Sequence, residues 1–318
     1  MKSKLLILFL ASRPKFLVAS AAPVLVGSAL GFAVTGTFSP YLFILALLAT
    51  MLLHSGANIA NDYFDHTSGN DWLNKNPTPF SGGRLYIQQG ILSPKSTLLL
   101  ALVALTAGAI IGIVIVFITQ SPFILTLGLI GLLGGFFYTA PPLRLGYRCA
   151  GEPVIALLFG LLPVYGSYYL QTQTIDITPY TVWLTPLLPA IIVAILIFLV
   201  IFINEFPDVT ADAAVNKRTL VVRFGTTVSI WIYRIALSAS YLVTIAAALI
   251  YRPFIYAGVL YLFTLPIAVA ALKAANKEDL LKLGQYRFCQ LTVLLHALGS
   301  LALTVGFVIF GLIRYGRI

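Results

Sequence analysis

Long apolar stretches alternate with polar connections along the chain, and this pattern predicts a membrane protein built from helices. A helix needs about 20 apolar residues to cross the hydrocarbon core of a bilayer. Nine such stretches follow one another, at approximately 14–35, 40–64, 95–118, 121–138, 152–170, 180–206, 226–250, 253–272 and 288–313. Small residues in the first stretch, among them Gly27 and Gly31, favour close helix packing. The sequence therefore predicts an all-α fold with about nine transmembrane helices.

Composition supports the same class of protein. Of the 318 residues, 59% are hydrophobic and 9% are charged, whereas a soluble domain carries roughly 25% charged residues. Arg13 and Lys15 interrupt the first apolar run too early for a cleavable signal peptide. Cys149 and Cys289 have no spacing typical of a disulfide framework or a metal site. We therefore expect a polytopic protein of the plasma membrane, in contact with the lipid bilayer.

The net charge of +10 has an explanation in membrane topology. With nine helices and a cytoplasmic N-terminus, only Arg252, Arg314 and Arg317 of the basic residues fall on the outer side. This distribution follows the positive-inside rule, and it predicts that the N-terminus and the long loops are cytoplasmic. We expect no nucleic acid and no obligate protein partner.

The first polar signal is the run HSGANIANDYFDHTSGND at 54–71, which begins inside the second apolar stretch. His54, Asn58, Asn61 and Asp65 follow one another at steps of four, three and four, so a helix places them on one face. Charged groups at the mouth of a membrane helix are costly, and they usually mark a functional site.

A second run, NEFPDVTAD at 204–212, ends the sixth apolar stretch and contains Glu205, Asp208 and Asp212. Two acidic runs on a basic chain indicate a multivalent cation between them, and Mg²⁺ commonly binds one or two carboxylates together with substrate phosphates. The alternatives are a solvated acidic patch, a cation transporter or a structural membrane protein. A transporter usually places its acids near the bilayer midplane, often in broken helices, whereas these acids lie at helix ends.

A diphosphate bound to such a cation also needs cationic and hydroxyl donors. Candidates on the same side of the membrane are Arg84, Tyr138, Arg144, Arg148, Lys217 and Arg218. Arginine suits bidentate contact with phosphate and lysine supplies a point charge. The alternative for each basic residue is a role in topology and lipid contact.

Several motifs resemble one known family. NDYFDHTSGND followed by NEFPDVTADAAVNKRTL is similar to the paired Asp-rich motifs of the UbiA-type intramembrane prenyltransferases. SRPKFLVASAAPVLVG, PFSGGRLYIQQGILSP and YTAPPLRLGYR look like the branch that prenylates 1,4-dihydroxy-2-naphthoate in menaquinone biosynthesis. The resemblance covers almost the whole chain, so we expect one domain over residues 1–318.

The resemblance implies nine helices around a central cavity, dependence on Mg²⁺, a polyprenyl diphosphate donor and an aromatic acceptor. By position, it implies metal ligands at Asn61, Asp62, Asp65, Asp71, Asp208 and Asp212. Asp65, Asp208 and Asp212 are the expected catalytic carboxylates. Asn61, Tyr138 and Lys217 are the expected diphosphate-binding residues.

The chain departs from the family pattern in three places. Many relatives have lysine just before the tyrosine that is Tyr147 here, where this chain has Gly146; we predict that Arg144 takes its role, with Arg148 as the alternative. Glu205 adds a carboxylate to the second motif, and the fifth helix opens with Gly-Glu-Pro at 151–153, which is also uncommon. These departures leave 4-hydroxybenzoate, homogentisate, a tetrapyrrole or a lipid open as acceptors.

Overall fold

The computed structural model describes residues 4–80, 83–173, 184–282 and 284–317, and within these ranges the chain is helical with no named β-strand. The α-helices are α1 (Lys4–Ala11), α2 (Val18–Thr35), α3 (Pro40–Ser68), α4 (Asn70–Leu73), α5 (Pro94–Thr119), α6 (Pro122–Phe136), α7 (Gly151–Ala156), α8 (Leu162–Thr172), α9 (Leu184–Asn204), α10 (Val209–Ala214), α11 (Leu220–Ile250), α12 (Phe254–Leu262), α13 (Leu265–Ala274), α14 (Lys277–Leu281) and α15 (Arg287–Arg314). A five-residue π-helix, Leu157–Leu161, joins α7 to α8. The all-α prediction is confirmed.

The nine predicted stretches correspond to helices, but not all are long enough to span a bilayer. In the described ranges, seven spans have the required length and hydropathy, and the bent pair α12 and α13 brings the number to eight. Helix α6 has 15 residues and is therefore only about 22 Å long, against about 30 Å of hydrocarbon. The chain is a multi-pass membrane protein, and the count of nine spans stays a prediction.

Two of the predicted stretches differ from the helices of the structure. Helix α11 begins at Leu220 rather than 226, and a break at Gly225, with φ of 75°, separates its first turn from the predicted segment. Helices α12 and α13 meet at an angle of 48°, because Pro266 follows the break and has no N–H to continue the hydrogen bonding. The beginning of the predicted stretch 180–206 lies outside the described residues.

An unpredicted helix, α1, precedes the first span. A 3₁₀ turn, Pro14–Phe16, joins α1 to α2, and Arg13 before it adopts a left-handed conformation with φ of 53°. Proline favours the first position of a helical turn. The 3₁₀ turn accordingly begins at Pro14, directly after Arg13.

The helices pack in a bundle with its largest core between α2, α8, α9, α11, α12 and α15. Helix α3 lies along α5, and α2 lies against α8 and α15. A Cβ atom on Gly31 would be 2.5 Å from Cβ of Gln171, so the small residues of α2 permit the close contact with α8 that the sequence predicted. Exposed apolar side chains such as Leu99, Phe117 and Leu242 cover the outer faces, as expected for a surface in contact with lipid.

Backbone hydrogen bonds join two loops at the end of the bundle, the loop before α7 and the loop before α11. The N–H of Cys149 donates to the carbonyl of Arg218 at 2.7 Å, and the N–H of Arg218 donates to the carbonyl of Tyr147 at 3.2 Å. Helix α4, which contains the end of the first acidic run, contacts α10, which contains the end of the second. The fold therefore brings the two acidic runs together although about 140 residues separate them along the chain.

Candidate active site

A polar cavity lies where α3 and α9 end. Its volume is ≈ 180 Å³, and its wall contains residues from the N-terminal turn, α2, α3, α4, α6, the loop before α7, α9 and α10. The polar residues on the wall are Arg13, His54, Asn58, Asn61, Asp65, Asn70, Asp71, Tyr138, Asn204, Glu205, Asp208, Asp212 and Lys217. His54, Asn58, Asn61 and Asp65 thus share the face that their spacing predicts.

Lys217 connects the two acidic runs. Its Nζ lies 3.4 Å from Oδ2 of Asp65 at the end of α3 and 3.4 Å from Oδ1 of Asp212 in α10. The backbone N–H of Lys217 also donates to the carbonyl of Asp212 at 2.8 Å. Because all three side chains are largely shielded from water, the attraction between them is stronger than it would be at a protein surface.

Asparagine and glutamine side chains also donate hydrogen bonds to the carboxylates of both acidic runs. Nδ2 of Asn70 donates to Asp212 at 2.9 Å, and Nδ2 of Asn74 donates to Asp208 at 2.8 Å. Within α3, Nδ2 of Asn61 donates to Asp65 at 3.0 Å. In the loop after α4, Nε2 of Gln88 donates to Asp71 at 3.1 Å. Asn70 belongs to the first run and Asn74 follows it, yet both donate to carboxylates of the second run. Like Lys217, they therefore link the two acidic runs.

Arg13 forms an ion pair with Asp62. Asp62 does not line the cavity, whereas Arg13 does, and in the described part of the chain Nε of Arg13 is buried without a hydrogen-bond partner. Gly83 closes this corner with φ of +67°, and a Cβ atom there would lie 2.9 Å from Oδ1 of Asp62. The sequence predicted Asp62 as a metal ligand; its contact in the structure is with a cation of the protein.

Tyr147 supplies a further contact to the first run. Its hydroxyl donates to Oδ1 of Asp65 at 2.9 Å and lies 3.0 Å from Oγ of Ser68. Gly146 before it is buried, and a Cβ atom there would lie 2.9 Å from the ring of Tyr138. A lysine at this position would bring its Cβ against the ring of Tyr138, so the glycine permits the close contact.

Glu152 and Glu205 form a second buried acidic pair. Oε1 of Glu152 accepts a hydrogen bond of 2.5 Å from the N–H of Leu220, so this carboxylate binds the first turn of α11, just after Lys217. Glu205 lines the cavity and is 6% exposed. Burial raises the pKa of Glu205 well above its ordinary value, and repulsion from Glu152 adds to the effect.

Burial and neighbouring charges shift the pKa values of Asp71, Asp212 and Lys217, which lie outside the membrane spans. Burial raises the pKa of Asp71 to about 8, and repulsion from Asp65 and Asp62 contributes to this. Burial also raises the pKa of Asp212, against the opposing attraction of Lys217. Burial alone would lower the pKa of Lys217, but attraction to Asp212 and Asp65 outweighs it, so this pKa is raised and the lysine stays charged.

The predicted diphosphate-binding residues divide into two groups. Asn61, Tyr138 and Lys217 lie on the cavity wall. Arg84 is half-buried and outside the lining, with its backbone N–H directed to Asp62. Arg144 and Arg148 are exposed and also outside the lining; Arg148 donates to the carbonyl of Pro142 at 3.1 Å, and Arg144 lies beside the ring of Tyr147.

An apolar chamber adjoins the polar cavity. Its volume is ≈ 220 Å³, and it lies between α2, α3, α5, α6 and α8, with glycine and aliphatic side chains on most of its wall. The two spaces share four residues, His54, Ala57, Gly135 and Phe159. His54 stands at this boundary with Nδ1 3.1 Å from Oγ of Ser20. The combined space therefore offers a charged end and an apolar end to one ligand.

The oxygen donors on the wall fit Mg²⁺, which prefers carboxylate, carbonyl and water oxygens. Asp65, Asp71, Asp208 and Asp212 provide carboxylates, and Asn61 provides an amide. In the ranges that the structure describes, no three His, Cys, Asp or Glu side chains are grouped closely enough to hold an ion by themselves. The arrangement suits an ion that shares its ligands with a phosphate group rather than one enclosed by protein.

Sequence reasoning missed four contributors, Arg13, Asn70, Asn74 and Tyr147. Arg13 was counted only among the basic residues of the cytoplasmic side. Its place directly before Pro14, where the first span begins, was a signal for a turn. Asn70 and Asn74, four residues apart, also carry a helical spacing that places them on one face. Tyr147 was named only as the residue after Gly146, and no role was predicted for its hydroxyl. Their partners lie far away in sequence, so no local pattern revealed those contacts.

Comparison with known proteins agrees with this geometry. Residues 20–291 match the UbiA prenyltransferase family. The 1,4-dihydroxy-2-naphthoate octaprenyltransferase of Haemophilus influenzae is 32% identical over 310 residues, 93% of this chain and 94% of that protein. The enzyme of the same name from Escherichia coli is 30% identical over 271 residues, 84% of this chain and 83% of that protein.

A solved structure shares the fold. The structure of a UbiA homolog from Archaeoglobus fulgidus bound to GPP and Mg²⁺ has a TM-score of 0.67 to this chain, covering 94% of it and 97% of the homolog, at 16% identity. The family match over most of the chain, and relatives of this identity and coverage, establish that the chain belongs to the UbiA prenyltransferase family of membrane enzymes.

Proposed function

We propose that the enzyme transfers a polyprenyl group from polyprenyl diphosphate to 1,4-dihydroxy-2-naphthoate. The observation that carries this proposal is the joint space with a charged end and an apolar end. A polyprenyl diphosphate has the same division between a charged head and a hydrocarbon tail. The names of the relatives from H. influenzae and E. coli support the naphthoate as the acceptor.

The diphosphate binds at the charged end. Lys217 offers its ammonium group between the two acidic runs, and Arg13 offers a guanidinium whose Nε has no partner in the described part of the chain. Tyr138 adds a hydroxyl on the same wall. Asn61, Asp65, Asp71, Asp208 and Asp212 are the ligands that we propose for Mg²⁺, and Asp62 orients Arg13.

The protein's contribution to catalysis is to hold and stabilise the leaving group. Bound Mg²⁺ would neutralise charge that develops on the diphosphate as the allylic C–O bond breaks. Lys217 and Arg13 stabilise the same charge through fixed contacts in a site of low dielectric, where such contacts are stronger than in water. The diphosphate leaves with the electron pair of the bond, and the prenyl group becomes the electrophile.

Exclusion of water decides the fate of the prenyl cation. Ala57, Gly135 and Phe159 form the boundary between the two chambers, and this apolar surface admits the hydrocarbon while keeping bulk water out. The electron-rich ring carbon of the acceptor then forms the new C–C bond. Loss of CO₂ from that carbon returns an electron pair to the ring and restores its aromaticity.

The distribution of basic residues supports an orientation with the acidic runs and the N-terminus on the cytoplasmic side of the plasma membrane. The diphosphate head would then be released into the cytoplasm, and the prenylated product would stay in lipid. The single domain that we propose for residues 1–318 provides both chambers.

We expect transfer to depend on Mg²⁺ and on the naphthoate. Purified enzyme in nanodiscs, given labelled geranylgeranyl diphosphate, should form a prenylated product with 1,4-dihydroxy-2-naphthoate and release CO₂ from a carboxyl-labelled acceptor. EDTA should abolish the reaction and Mg²⁺ should restore it, because the wall carries oxygen ligands. Full transfer in metal-free buffer would contradict the metal assignment, and transfer only to 4-hydroxybenzoate, homogentisate or another acceptor would reassign the substrate.

Loss of a cavity carboxylate should cost far more activity than loss of a surface carboxylate. We expect Asp65→Ala or Asp208→Ala to reduce kcat at least ~100-fold, the scale of one lost electrostatic contact in an active site. Glu278→Ala is the matched control, because Glu278 is exposed in α14 and outside the cavity lining. Comparable losses in all three variants would show that the acidic runs have no special role.

Removal of Arg13 should weaken binding of the donor. The double variant Arg13→Gln with Asp62→Asn avoids leaving a buried carboxylate unpaired, and we expect it to raise the KM for prenyl diphosphate at least ~10-fold, since hydrogen bonds to charged groups contribute about 1.5–3 kcal/mol. Arg144→Ala and Arg148→Ala are the controls and should change this KM less than about twofold. If one of those two variants alone raises the donor KM, the diphosphate contact belongs to the 144–148 loop, as the sequence predicted.

A further inference from the structure

One histidine stands where the two chambers meet. His54 is 7% exposed and lies on the wall of both the polar cavity and the apolar chamber. Phe159, which also borders both spaces, packs against it with the ring centroids 4.5 Å apart. In the proposed reaction the allylic carbon of the donor lies at this boundary, because the diphosphate occupies the charged end and the tail occupies the apolar chamber.

The hydrogen bonds of Ser20 decide which nitrogen of His54 carries the proton. Oγ of Ser20 donates to the carbonyl of Leu17 at 3.0 Å, so the single proton of this hydroxyl is used. Nδ1 of His54, which lies 3.1 Å from the same oxygen, is therefore the donor in their contact. A neutral imidazole with its proton on Nδ1 has a lone pair on Nε2, which accepts a hydrogen bond or a proton.

Nε2 of His54 is available to a ligand. Among the residues that the structure describes, the contact with Ser20 is the only hydrogen bond of this side chain. No carboxylate in those ranges forms an ion pair with it, and an unpaired charge inside a membrane helix is costly, so the imidazole is neutral. A neutral imidazole on a cavity wall, oriented by a hydrogen bond at its other nitrogen, has the arrangement of a general base.

A hydrogen-bond donor lies one turn further toward the charged end. Asn58 follows His54 by four residues in α3, about 6 Å along the helix axis, and it lines the polar cavity. Its Nδ2 is buried and has no hydrogen-bond partner in the described part of the chain. Because a buried polar atom without a partner is costly, this nitrogen indicates a ligand that supplies an oxygen.

The aromatic acceptor matches this pair better than the donor substrate does. A prenyl chain has no hydrogen-bonding group and an ionised diphosphate has only acceptor oxygens, so neither can donate to Nε2 of His54. In 1,4-dihydroxy-2-naphthoate, one hydroxyl is the direct neighbour of the carboxylate on the ring. That hydroxyl can donate to Nε2 while the carboxylate accepts from Nδ2 of Asn58.

We propose that His54 is the base that removes the proton from the hydroxyl beside the carboxylate of the acceptor, and that Asn58 binds this carboxylate. This inference rests on the proposed function and adds to it the acceptor subsite. The ring π electrons form the bond between the carboxylate-bearing carbon and the allylic carbon. The hydroxyl oxygen shares an electron pair with its own carbon as C=O, and its proton moves to Nε2.

Loss of CO₂ then reverses the proton transfer. The bond between the ring and the carboxylate breaks, and its electron pair rebuilds the C=C bond of the ring. The π pair of the C=O returns to oxygen, which takes the proton back from Nε2. The products are the prenylated dihydroxynaphthalene, CO₂ and diphosphate, and His54 ends the cycle neutral, so the step needs no other reactant.

The test compares His54 variants on acceptors in which one or the other hydroxyl is methylated. Single-turnover rates of CO₂ release are measured in nanodiscs with geranylgeranyl diphosphate and either 1-hydroxy-4-methoxy-2-naphthoate or 4-hydroxy-1-methoxy-2-naphthoate. With the first acceptor we expect His54→Gln and His54→Ala to be at least ~100-fold slower than wild type, the usual contribution of a general base, with donor affinity unchanged. The second acceptor has no proton for His54, so both variants should match the slow rate of wild type.

Free imidazole and a second histidine separate catalysis from structure. Imidazole should restore part of the activity of His54→Ala in proportion to its concentration, because it can occupy the space of the deleted ring and take the proton. His296→Gln is the matched control and should keep the wild-type rate, because His296 is a buried histidine of α15 outside both linings.

Asn58 should affect acceptor binding rather than the proton transfer. We expect Asn58→Ala to raise the acceptor KM at least ~10-fold, since hydrogen bonds to charged groups contribute about 1.5–3 kcal/mol. As a competitive inhibitor, 1,4-dihydroxynaphthalene lacks the carboxylate and should bind this variant and wild type equally. A lower affinity of the variant for this inhibitor as well would contradict the contact with the carboxylate.

Each contrary outcome has a definite meaning. Equal losses of His54→Gln with the two methyl ethers would overturn the base assignment, and so would a weakened donor affinity, a loss of the same size in His296→Gln, or a folded His54→Ala that imidazole does not restore. Should His54→Ala fail to fold, His54→Gln on the two ethers decides. A wild-type enzyme inactive with every aromatic acceptor would overturn the proposed function itself, whereas an active wild type with an unaffected His54→Gln would overturn this inference alone.

Discussion

The shared contact of Lys217 with Asp65 and Asp212 is the interaction on which the site depends. Buried carboxylates at the end of a membrane bundle repel one another, and their desolvation is costly unless cations or hydrogen-bond donors accompany them. Lys217 provides one cation for two acids that come from different parts of the chain, at 3.4 Å from each. The N–H of Leu220 binds Glu152, and backbone hydrogen bonds tie Arg218 to the 147–149 loop, so several contacts fix the position of this lysine.

The same electrostatics explain how the site can change its partners during a reaction. Lysine, asparagine and glutamine side chains compensate the acids. In the proposed reaction, a diphosphate with Mg²⁺ would bring both charges at once, so the carboxylates would face the cation while Lys217 and Arg13 would contact phosphate. The apolar chamber lies alongside the charged end, and it is there that we propose the hydrocarbon tail binds.

Local patterns were sufficient for most of the long membrane helices and for the two acidic runs. Helical spacing placed His54, Asn58, Asn61 and Asp65 on one face because a helix has a fixed period, and apolar length marked the spans. Contacts between distant segments were beyond such reasoning. Arg13 reaches Asp62 through a left-handed turn, and Arg144 lies outside the cavity because the 140–149 loop directs it to the exposed surface. The kink at Gly225 and the bend before Pro266 likewise depend on packing as well as on sequence.

The central claim is that the two acidic runs bind a divalent cation together with the prenyl diphosphate rather than by themselves. Titration of Mn²⁺, as a paramagnetic substitute for Mg²⁺, into the enzyme in nanodiscs can be followed by electron paramagnetic resonance with and without a geranylgeranyl thiodiphosphate that reacts slowly. We predict weak binding of Mn²⁺ alone and binding at least ~10-fold tighter with the thiodiphosphate, after correction for the affinity of the thiodiphosphate itself for Mn²⁺. Such a coupling is within the usual range for two linked ligands. Equally tight binding without the thiodiphosphate, or tightening that persists in an Asp65→Ala, Asp212→Ala double variant, would contradict it.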